Sequence, residues 1–364
     1  MNFSANAKHI IDNCRFCWMC HHICPVGNAT GQERNTARAI ALVLSLVNRD
    51  AADLTPDIID NMYECTLCGG CTADCCTGFD PIVFVKEVRA GAALEGKTPD
   101  YINVLLDNFD AKGNIYGKDM CSCLGDAIKA AEKKSDTLLF LGADARYLMP
   151  ENAKEAIKLL EAAGADFTVL ADEPDSGYSY DTLVGAVEET KAIMEKAAAV
   201  LNGYKTVVAY DPADAKTFVR QYKEWGIELT CNVVTYSSYV ADLLKAGKFN
   251  IKRCDCTLAY QDPALLVREL EETEPAREII AACANLKDFM LCGKGTMFAG
   301  NLIMSTYNKD SMDLIAKQRL AEAVRLGVDG VVRASVSEFA LMNENKPEGL
   351  KVFTLEGFLL AHLA

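Results

Sequence analysis

The sequence predicts an α + α/β protein, in which a helical N-terminal domain precedes two repeated α/β units with parallel sheets. Three observations support this fold class. Helical patterns surround two closely spaced groups of cysteines near the start. In the remainder, strand-like and helical segments alternate, and the same order of segments occurs twice. We place the domains at residues 1–118, 119–250 and 251–364 of the 364-residue chain.

The N-terminal domain is predicted to be helical from the spacing of its apolar residues. The segment TPDIIDNMYEC (55–65) begins with Thr and Pro, which favour the first turn of a helix. Within residues 34–47, five apolar residues recur at the spacing of one buried helix face: Ala37, Ile40, Ala41, Leu44 and Val47.

The first α/β unit shows alternating strand and helix patterns. TLLFLG (137–142) and DFTVL (166–170) predict strands on either side of the amphipathic helix ENAKEAIKLLEAAG (151–164), and a long helix follows over 181–201. Two strand-and-helix segments complete the unit: KTVVAYDPADAKTF (205–218) and VVTYSSYVADLLKAG (233–247).

The same order of elements returns in the second unit. TLAYQD (257–262) predicts its first strand, EPAREIIAACANL (274–286) a helix, DFMLCG (288–293) a strand and DSMDLIAKQRLAEAVRLG (310–327) the long helix. The closing segments are DGVVRASVSEF (329–339) and KVFTLEGFLLAHL (351–363). This internal repeat indicates two α/β units that face each other, with ligand sites at the carboxyl ends of their parallel strands.

The composition excludes several classes of protein. The chain has 51 acidic and 37 basic residues, and its net charge of −14 argues against nucleic-acid binding, which depends on cationic contacts with phosphate. The apolar run AIALVLSLV (39–47) is too short to span a membrane, and we see no export signal. We therefore expect a cytoplasmic protein with no direct membrane span.

The sixteen cysteines favour metal ligation or redox chemistry over a disulfide framework, because reducing compartments keep thiols reduced. Eight of them form two motifs with identical spacing, CRFCWMCHHICP and CTLCGGCTADCC. The first cysteine motif contains Cys14, Cys17, Cys20 and Cys24. The second cysteine motif contains Cys65, Cys68, Cys71 and Cys75.

This spacing predicts iron–sulfur clusters. A CxxCxxC loop can wrap one face of a [4Fe–4S] cluster, and in two-cluster ferredoxins the fourth cysteine of each motif binds the other cluster. The alternative, a zinc site, would have no use for the third thiol. We assign Cys14, Cys17, Cys20 and Cys75 to one [4Fe–4S] cluster. We assign Cys65, Cys68, Cys71 and Cys24 to a second.

Three further residues lie in or beside the motifs. Pro25 follows Cys24, whereas Cys76 stands where the second motif would carry its proline. We interpret Cys76 as a buried bystander, with a role as alternate ligand left open. His21 and His22 lie inside the first motif and are interpreted as loop residues rather than ligands.

Helices between the motifs, followed by two repeats, resemble the Fe–S oxidoreductases with an α-helical ferredoxin domain and cysteine-rich CCG domains. This family includes the catalytic subunit of heterodisulfide reductase and the iron–sulfur subunits of anaerobic glycerol-3-phosphate dehydrogenase and of glycolate and lactate oxidases. The resemblance covers nearly the whole chain. The stretches that fall where the family carries its cysteine motifs are YQDPALLVRE, EPARE, LCGKG and VVRASVSEF.

Most of the family's cysteines in the repeats are replaced here. In the second repeat, the family's His-Asp-Pro-Cys stretch reads Gln261, Asp262, Pro263 and Ala264, its paired CCG cysteines read Leu291 and Cys292 with Gly293 kept, and its closing CPxC reads Ser335, Val336, Ser337 and Glu338. In the first repeat, the CCG position falls near Asp172 and Glu173, and the CPxC position reads Asp211, Pro212, Ala213 and Asp214. We therefore do not expect the non-cubane cluster of these domains or its heterodisulfide chemistry.

Two interpretations of the altered repeats remain open. They are either a scaffold that docks a partner, or they carry a different pocket, for a substrate or metal, lined by Asp172, Glu173, Asp211 and Asp214. The remaining cysteines are either ordinary buried residues or the ligands of a third cluster. Those at issue are Cys121, Cys123, Cys254, Cys256 and Cys292.

The resemblance implies an electron-transfer subunit of an anaerobic oxidoreductase complex, which relays single electrons through two [4Fe–4S] clusters. No GxGxxG motif opens a helix after a strand, so we expect the flavin or nicotinamide chemistry in another subunit. The implied partner is a flavoprotein dehydrogenase subunit. The alternatives are a reductase with its own remodelled site between the repeats, and a sensing or assembly protein that uses the clusters as structure.

Overall fold

The computed structural model describes residues 3–364. Helices connected by short loops form its N-terminal part; the first cysteine motif lies in the loop between the first two helices, and the second runs from the loop after the fourth helix through the short fifth helix. The helices are α1 (Ala5–Asn13), α2 (Pro25–Thr30), α3 (Ala37–Asn48), α4 (Pro56–Tyr63), α5 (Gly70–Asp74), α6 (Pro81–Leu94) and α7 (Asp100–Lys112).

The predicted helices between the motifs are confirmed as α3 and α4. The Thr36 and Thr55 hydroxyls cap them by accepting hydrogen bonds from the amides of Ala39 and Ile58. The predicted face of α3 is buried except for Val47, which is half-buried at the end of the helix. This face packs against α1, α4 and α6 in the N-terminal hydrophobic core.

The first α/β unit contains a parallel sheet in the order β1 (Thr137–Phe140), β2 (Thr206–Ala209) and β3 (Asn232–Thr235). Its helices are α8 (Ser122–Ala131), α9 (Pro150–Ala162), α10 (Tyr178–Val184), α11 (Glu188–Leu201), α12 (Pro212–Lys216), α13 (Tyr222–Glu224) and α14 (Tyr236–Lys245).

Two predictions for this unit need correction. The segment 166–170 is not a full strand, since Thr168 forms a single parallel bridge with Leu138. The long helix predicted over 181–201 is divided into α10 and α11 at Gly185. Gly185 has a φ of 63°, and a Cβ there would lie 2.6 Å from the carbonyl oxygen of Lys86, so the chain turns where only glycine fits.

The second unit contains a four-stranded parallel sheet in the order β5-β4-β6-β7. Its strands are β4 (Thr257–Gln261), β5 (Asn285–Asp288), β6 (Gly330–Arg333) and β7 (Lys351–Thr354). Its helices are α15 (Ala264–Glu269), α16 (Glu274–Cys283), α17 (Leu302–Ser305), α18 (Lys309–Leu326), α19 (Val336–Asn345) and α20 (Leu355–Leu360). The strand predicted at 288–293 is placed too late in the chain. β5 follows α16 directly and ends at Asp288, and Met290 beyond it is 88% exposed.

The two units pack face to face around one hydrophobic core. Helix α9 of the first unit packs against α20 of the second, and α14 packs against α16. The Tyr210 hydroxyl, just after β2, donates a 2.5 Å hydrogen bond to Glu356 of α20. The α + α/β fold class is thus confirmed. Among residues 3–364, no helix is long and apolar enough to cross a membrane.

Candidate iron–sulfur site

The two cysteine motifs follow the same backbone path. Phe16 and Leu67, each two residues after the first cysteine of its motif, have positive φ angles of 53° and 52°. Trp18 and Gly69, two residues further on, have φ angles of 72° and 71°. Non-glycine residues rarely adopt this conformation, which costs on the order of 1 kcal/mol. The matching spacing of the cysteines therefore corresponds to matching loop geometry.

Backbone amides point at several of the thiols. Cys24 caps the start of α2, and its Sγ accepts a 3.4 Å hydrogen bond from the amide of Gly27. The Sγ of Cys14 accepts from the amide of Phe16 at 3.4 Å. Such bonds favour the charged form of a thiol, which is the form that binds iron.

Cys75 of the second motif lies close to the thiols of the first. Burial raises the pKa of the Cys14 thiol, the Phe16 amide lowers it, and the charges of Cys75 and Cys17 raise it. Burial raises the pKa of Cys20 to about 11, with Cys14 and Cys17 contributing. The chain just after Cys75 contacts the start of the first CxxCxxC loop, since the Thr77 hydroxyl donates a 3.4 Å hydrogen bond to the carbonyl oxygen of Asn13, and Cys75 therefore lies beside this loop.

The complementary group surrounds one cavity. Its wall includes the side chains of Cys24, Cys65, Cys68 and Cys71, together with apolar residues such as Val26, Ile40, Leu67 and Ile82. Burial raises the pKa of Cys24 to about 12, with Cys68 and Cys65 contributing, and raises that of Cys71 well above its usual value. Four thiols that repel one another as anions fit a cationic iron–sulfur core, which supplies the charge and soft metal that thiolates bind.

The two groups differ in their exposure to solvent. Cys17 is exposed, and the neighbouring Trp18 and Met19 are 53% and 51% exposed. Cys68 is buried and packs against Ala264 and Phe298 of the second α/β unit. The first group therefore lies at the surface of the molecule, and the second lies between the N-terminal domain and the α/β units.

A buried arginine fixes the second motif to its surroundings. The guanidinium of Arg89, on α6, donates hydrogen bonds to the carbonyl oxygens of Met62 and Cys65 at 2.7 and 2.8 Å and of Thr182 at 2.5 Å. It also stacks on the ring of Tyr63, 4.8 Å from its centroid. Sequence reasoning missed this residue, although the apolar Val85 and Ala92, at helical spacing before and after it, share its buried face.

The other residues near the motifs have separate environments. The Nε2 atoms of His21 and His22 lie 3.3 and 3.1 Å from carboxylates of Glu33 and Asp74, in keeping with their interpretation as loop residues. Cys76 is exposed, so its interpretation as a buried bystander is wrong. Its position after the end of α5 leaves it in solvent.

The scattered cysteines do not present four free thiols. Cys121 pairs with Cys123 at the start of α8, and Cys254 pairs with Cys256 in the loop before β4, as two disulfides. The expectation that the thiols are unpaired is therefore wrong for these four. Cys292 is a free, half-buried cysteine in the loop after β5.

The four carboxylates predicted to line a pocket have different surroundings. Asp172 is exposed. Glu173 accepts hydrogen bonds from the amides of Leu141 and Gly142 at 2.8 and 2.9 Å, which ties the end of β1 to its neighbouring loop. Asp214 accepts a 2.5 Å hydrogen bond from the Ser176 hydroxyl. Of the four, Asp211 lines a cavity between the two units, as described below.

In the second unit, arginines contact several residues at the family's motif positions. Both oxygens of the buried Asp262 accept from the guanidinium of Arg277, at 2.6 and 2.8 Å. Gln261 accepts from Arg319, and Glu338 pairs with Arg333. The buried Arg319 and Arg333 and the half-buried Arg277 were not identified from the sequence.

Comparisons with known proteins agree with the cysteine geometry. Residues 10–79 match the family model of the 4Fe-4S dicluster domain. The chain is 22% identical over 331 residues to one of the subunits of fumarate reductase (CoM/CoB) from Methanothermobacter marburgensis, covering 88% of this chain and 65% of that protein. It is thus shorter than this relative and spans about two thirds of its length.

Two further relatives are similar over most of this chain. One of the subunits of dihydromethanophenazine:CoB–CoM heterodisulfide reductase from Methanosarcina mazei is 24% identical over 315 residues, which cover 79% of this chain and 76% of that protein. An uncharacterized iron–sulfur protein of Methanococcus maripaludis is 22% identical over 284 residues, which cover 76% and 56%. These matches confirm the predicted resemblance to iron–sulfur oxidoreductases and a role of [4Fe–4S] clusters in electron transfer.

A solved structure shares the fold. A hypothetical protein from Helicobacter pylori superposes with a TM-score of 0.61 at 12% identity, covering 99% of this chain and 73% of that one. At this level of identity the likeness concerns the fold alone.

Proposed function

We propose that this chain is the iron–sulfur subunit of an oxidoreductase complex and relays single electrons through two [4Fe–4S] clusters between a flavoprotein dehydrogenase subunit and another acceptor or donor. The names of two relatives, as subunits of fumarate and heterodisulfide reductases, support a subunit role. A cytoplasmic location stays a prediction from the sequence.

The observation that carries this proposal is the cavity shared by the two cysteine motifs. Cys24 comes from the first motif, whereas Cys65, Cys68 and Cys71 come from the second, and all four line the same space. Together with Cys75 beside Cys14, this supports an exchange of the fourth ligand between the motifs. In this arrangement the thiolates hold the clusters, and the bound clusters supply one-electron chemistry.

The difference in exposure suggests a direction for the relay. The first group of cysteines lies beside the exposed Trp18 and Met19, so a partner protein can approach the first cluster closely. The second group lies against the α/β units, away from that surface. We therefore propose that the flavoprotein exchanges electrons with the first cluster.

The primary test is the iron and acid-labile sulfide content of protein purified without oxygen. Two cubanes predict about eight of each per chain, and reduction should give the electron paramagnetic resonance (EPR) spectrum of two interacting clusters. About four of each would contradict the proposal, and about twelve would mean that other cysteines hold a further cluster. Cys76→Ser serves as the control, because this exposed residue lies outside both proposed ligand sets and should leave the content unchanged.

The partner requires a separate test. Tagged holoprotein, captured anaerobically from its native extract, should retain a flavin-containing polypeptide. Addition of that polypeptide's substrate should then reduce both clusters in the captured complex. A flavin-free complex, or a flavoprotein that does not reduce the clusters, would contradict the proposed partner and leave the cluster assignment intact.

A further inference from the structure

A small cavity lies between the two α/β units, at the carboxyl ends of β2 and β6. Its polar wall includes Asp211, Tyr178 and Ser335, and its apolar wall includes Ala264 and Phe298. The cavity measures about 30 Å³, which is room for about two or three non-hydrogen atoms.

One carboxylate oxygen in this wall has no partner. Asp211 is 6% exposed, and its Oδ1 accepts a 2.8 Å hydrogen bond from the amide of Ala213. Its Oδ2 has no hydrogen-bond partner of good geometry within residues 3–364, although the Val336 amide faces this carboxyl and lowers its pKa. A buried acceptor without a partner costs about 1–3 kcal/mol, so native structures rarely leave one.

Asp144 and Asp214, the carboxylates that interact with Asp211, are held by neutral donors, whereas Glu173 lies 4.0 Å from the buried guanidinium of Arg146. Asp144 accepts hydrogen bonds from the hydroxyls of Tyr116 and Ser337, and Asp214 accepts from the hydroxyl of Ser176. These donors are neutral. In the second unit, by contrast, Asp262 and Glu338 are paired with arginines. Buried carboxylates are normally paired with cations, so the group of Asp144, Asp211 and Asp214 can accept a positive charge.

We propose that this cavity binds a small ammonium ion, either ammonium itself or the protonated form of a short primary amine. The ion would donate an N–H hydrogen bond to Oδ2 of Asp211. The Tyr178 and Ser335 hydroxyls offer further acceptors, and Ala264 and Phe298 provide an apolar wall for a methyl group. No three Cys, His, Asp or Glu side chains of residues 3–364 converge on this cavity as ligands of one metal ion, which favours a hydrogen-bonding cation over a metal here. This binding activity goes beyond the electron relay.

The affinity should depend on pH through Asp211. Burial raises the pKa of this carboxyl to about 7, and the charge of Asp144 contributes. The other ionisable groups at the site are Asp214, Tyr178 and the Arg333–Glu338 pair. Because the ammonium ion binds the ionised carboxylate, its affinity should rise as the pH rises from 6 to 8.

The test uses the anaerobic holoprotein in sodium buffer and follows its melting temperature during titration with ammonium or methylammonium chloride. Potassium chloride is the matched control, because K⁺ carries the same charge as ammonium but has no hydrogen to donate. We expect a saturable rise in the melting temperature with the two ammonium salts, larger at pH 8 than at pH 6, and no such rise with K⁺. No rise, or an equal rise with K⁺ or with Mg²⁺, would overturn the proposal.

Two variants locate the site. Asp211→Asn removes the charge and should abolish the rise, whereas Asp172→Asn removes an exposed carboxylate of the same unit and should keep it. A rise retained in folded Asp211→Asn would overturn the proposal. Binding of the ion can also be followed through the EPR spectrum of the reduced wild type. Ala264 and Phe298, which line the cavity, also pack on Cys68. Only this spectral readout rests on the proposed second cluster, so the two proposals fail separately.

Discussion

The two cysteine motifs have the same spacing and the same backbone path but different surroundings. The first lies beside exposed side chains, Trp18 and Met19. In the second, the buried Arg89 donates a hydrogen bond to the carbonyl oxygen of Cys65, and Arg268 of the second α/β unit donates a 2.7 Å hydrogen bond to that of Cys68. Ligand spacing thus determines the loop, and the flanking residues determine whether the loop meets solvent or protein.

The largest expected effect comes from breaking the exchange of ligands. Cys24→Ser should remove the second cluster although the mutation lies in the first motif, and Cys75→Ser should remove the first. Iron and sulfide should fall from about eight to about four per chain in each case, because serine is a poor ligand for iron.

EPR spectra of the two variants should identify which cluster remains. The surviving spectrum should differ between them, and Cys76→Ser should show both clusters. If Cys24→Ser and Cys75→Ser left the same cluster in place, the proposed exchange would be wrong.

A second large effect should follow Arg89→Met. The change removes the buried charged donor to three carbonyl oxygens, those of Met62, Cys65 and Thr182. We expect a loss of roughly 3–5 kcal/mol in the free energy of unfolding, measured by denaturant titration without oxygen. Arg49→Met is the control: its side chain is 66% exposed, and the loss of its pair with Asp12 should cost less than about 1 kcal/mol.

An intermediate effect concerns the order in which the clusters are lost. Incubation with an iron chelator should deplete the first cluster several times faster than the second, since Cys17 is exposed and Cys68 is buried. Iron release timed against the EPR signals of the two clusters measures this order. Simultaneous loss would mean that the difference in exposure does not protect the second cluster.

The smallest effect on the protein itself is expected for Trp18→Ala. The ring of Trp18 contacts the Arg38 guanidinium at 4.4 Å and stacks near His21, but much of it faces solvent. Iron content should not change, and stability should change by no more than about 0.5–1 kcal/mol. Stopped-flow reduction by the flavoprotein partner should become slower. Val104→Ala, at a comparably exposed position on α7, should leave that rate unchanged.

Much of the fold could be predicted because its signals are local. Apolar spacing identified α3, Thr-Pro identified the start of α4, and the repeated order of segments identified the two sheets. The start of β5 could not be placed, since the apolar run after it continues into a loop. The division of the helix at Gly185 depends on a contact with Lys86, which is distant in sequence.

At the candidate site, the grouping of the cysteines could be predicted, whereas the conformation of the loops and the burial of the acidic residues could not. Cysteine spacing was sufficient to propose the grouping that the cavity and the neighbouring thiols support. The left-handed conformations of Phe16 and Leu67 had no local signal, because neither residue type favours them. Nor could acidic residues after strands be told apart, as only tertiary packing distinguishes the exposed Asp172 from the buried Asp211.

The exchange of ligands also has a consequence for how the protein is made. In the proposed sets, one cluster is held by residues 14 to 75 and the other by residues 24 to 71, so one span is nested inside the other. Neither site is complete while only the first motif has left the ribosome. Maturation would therefore wait for synthesis of the whole ferredoxin region, and a chain that stopped between the motifs would have no complete cluster site.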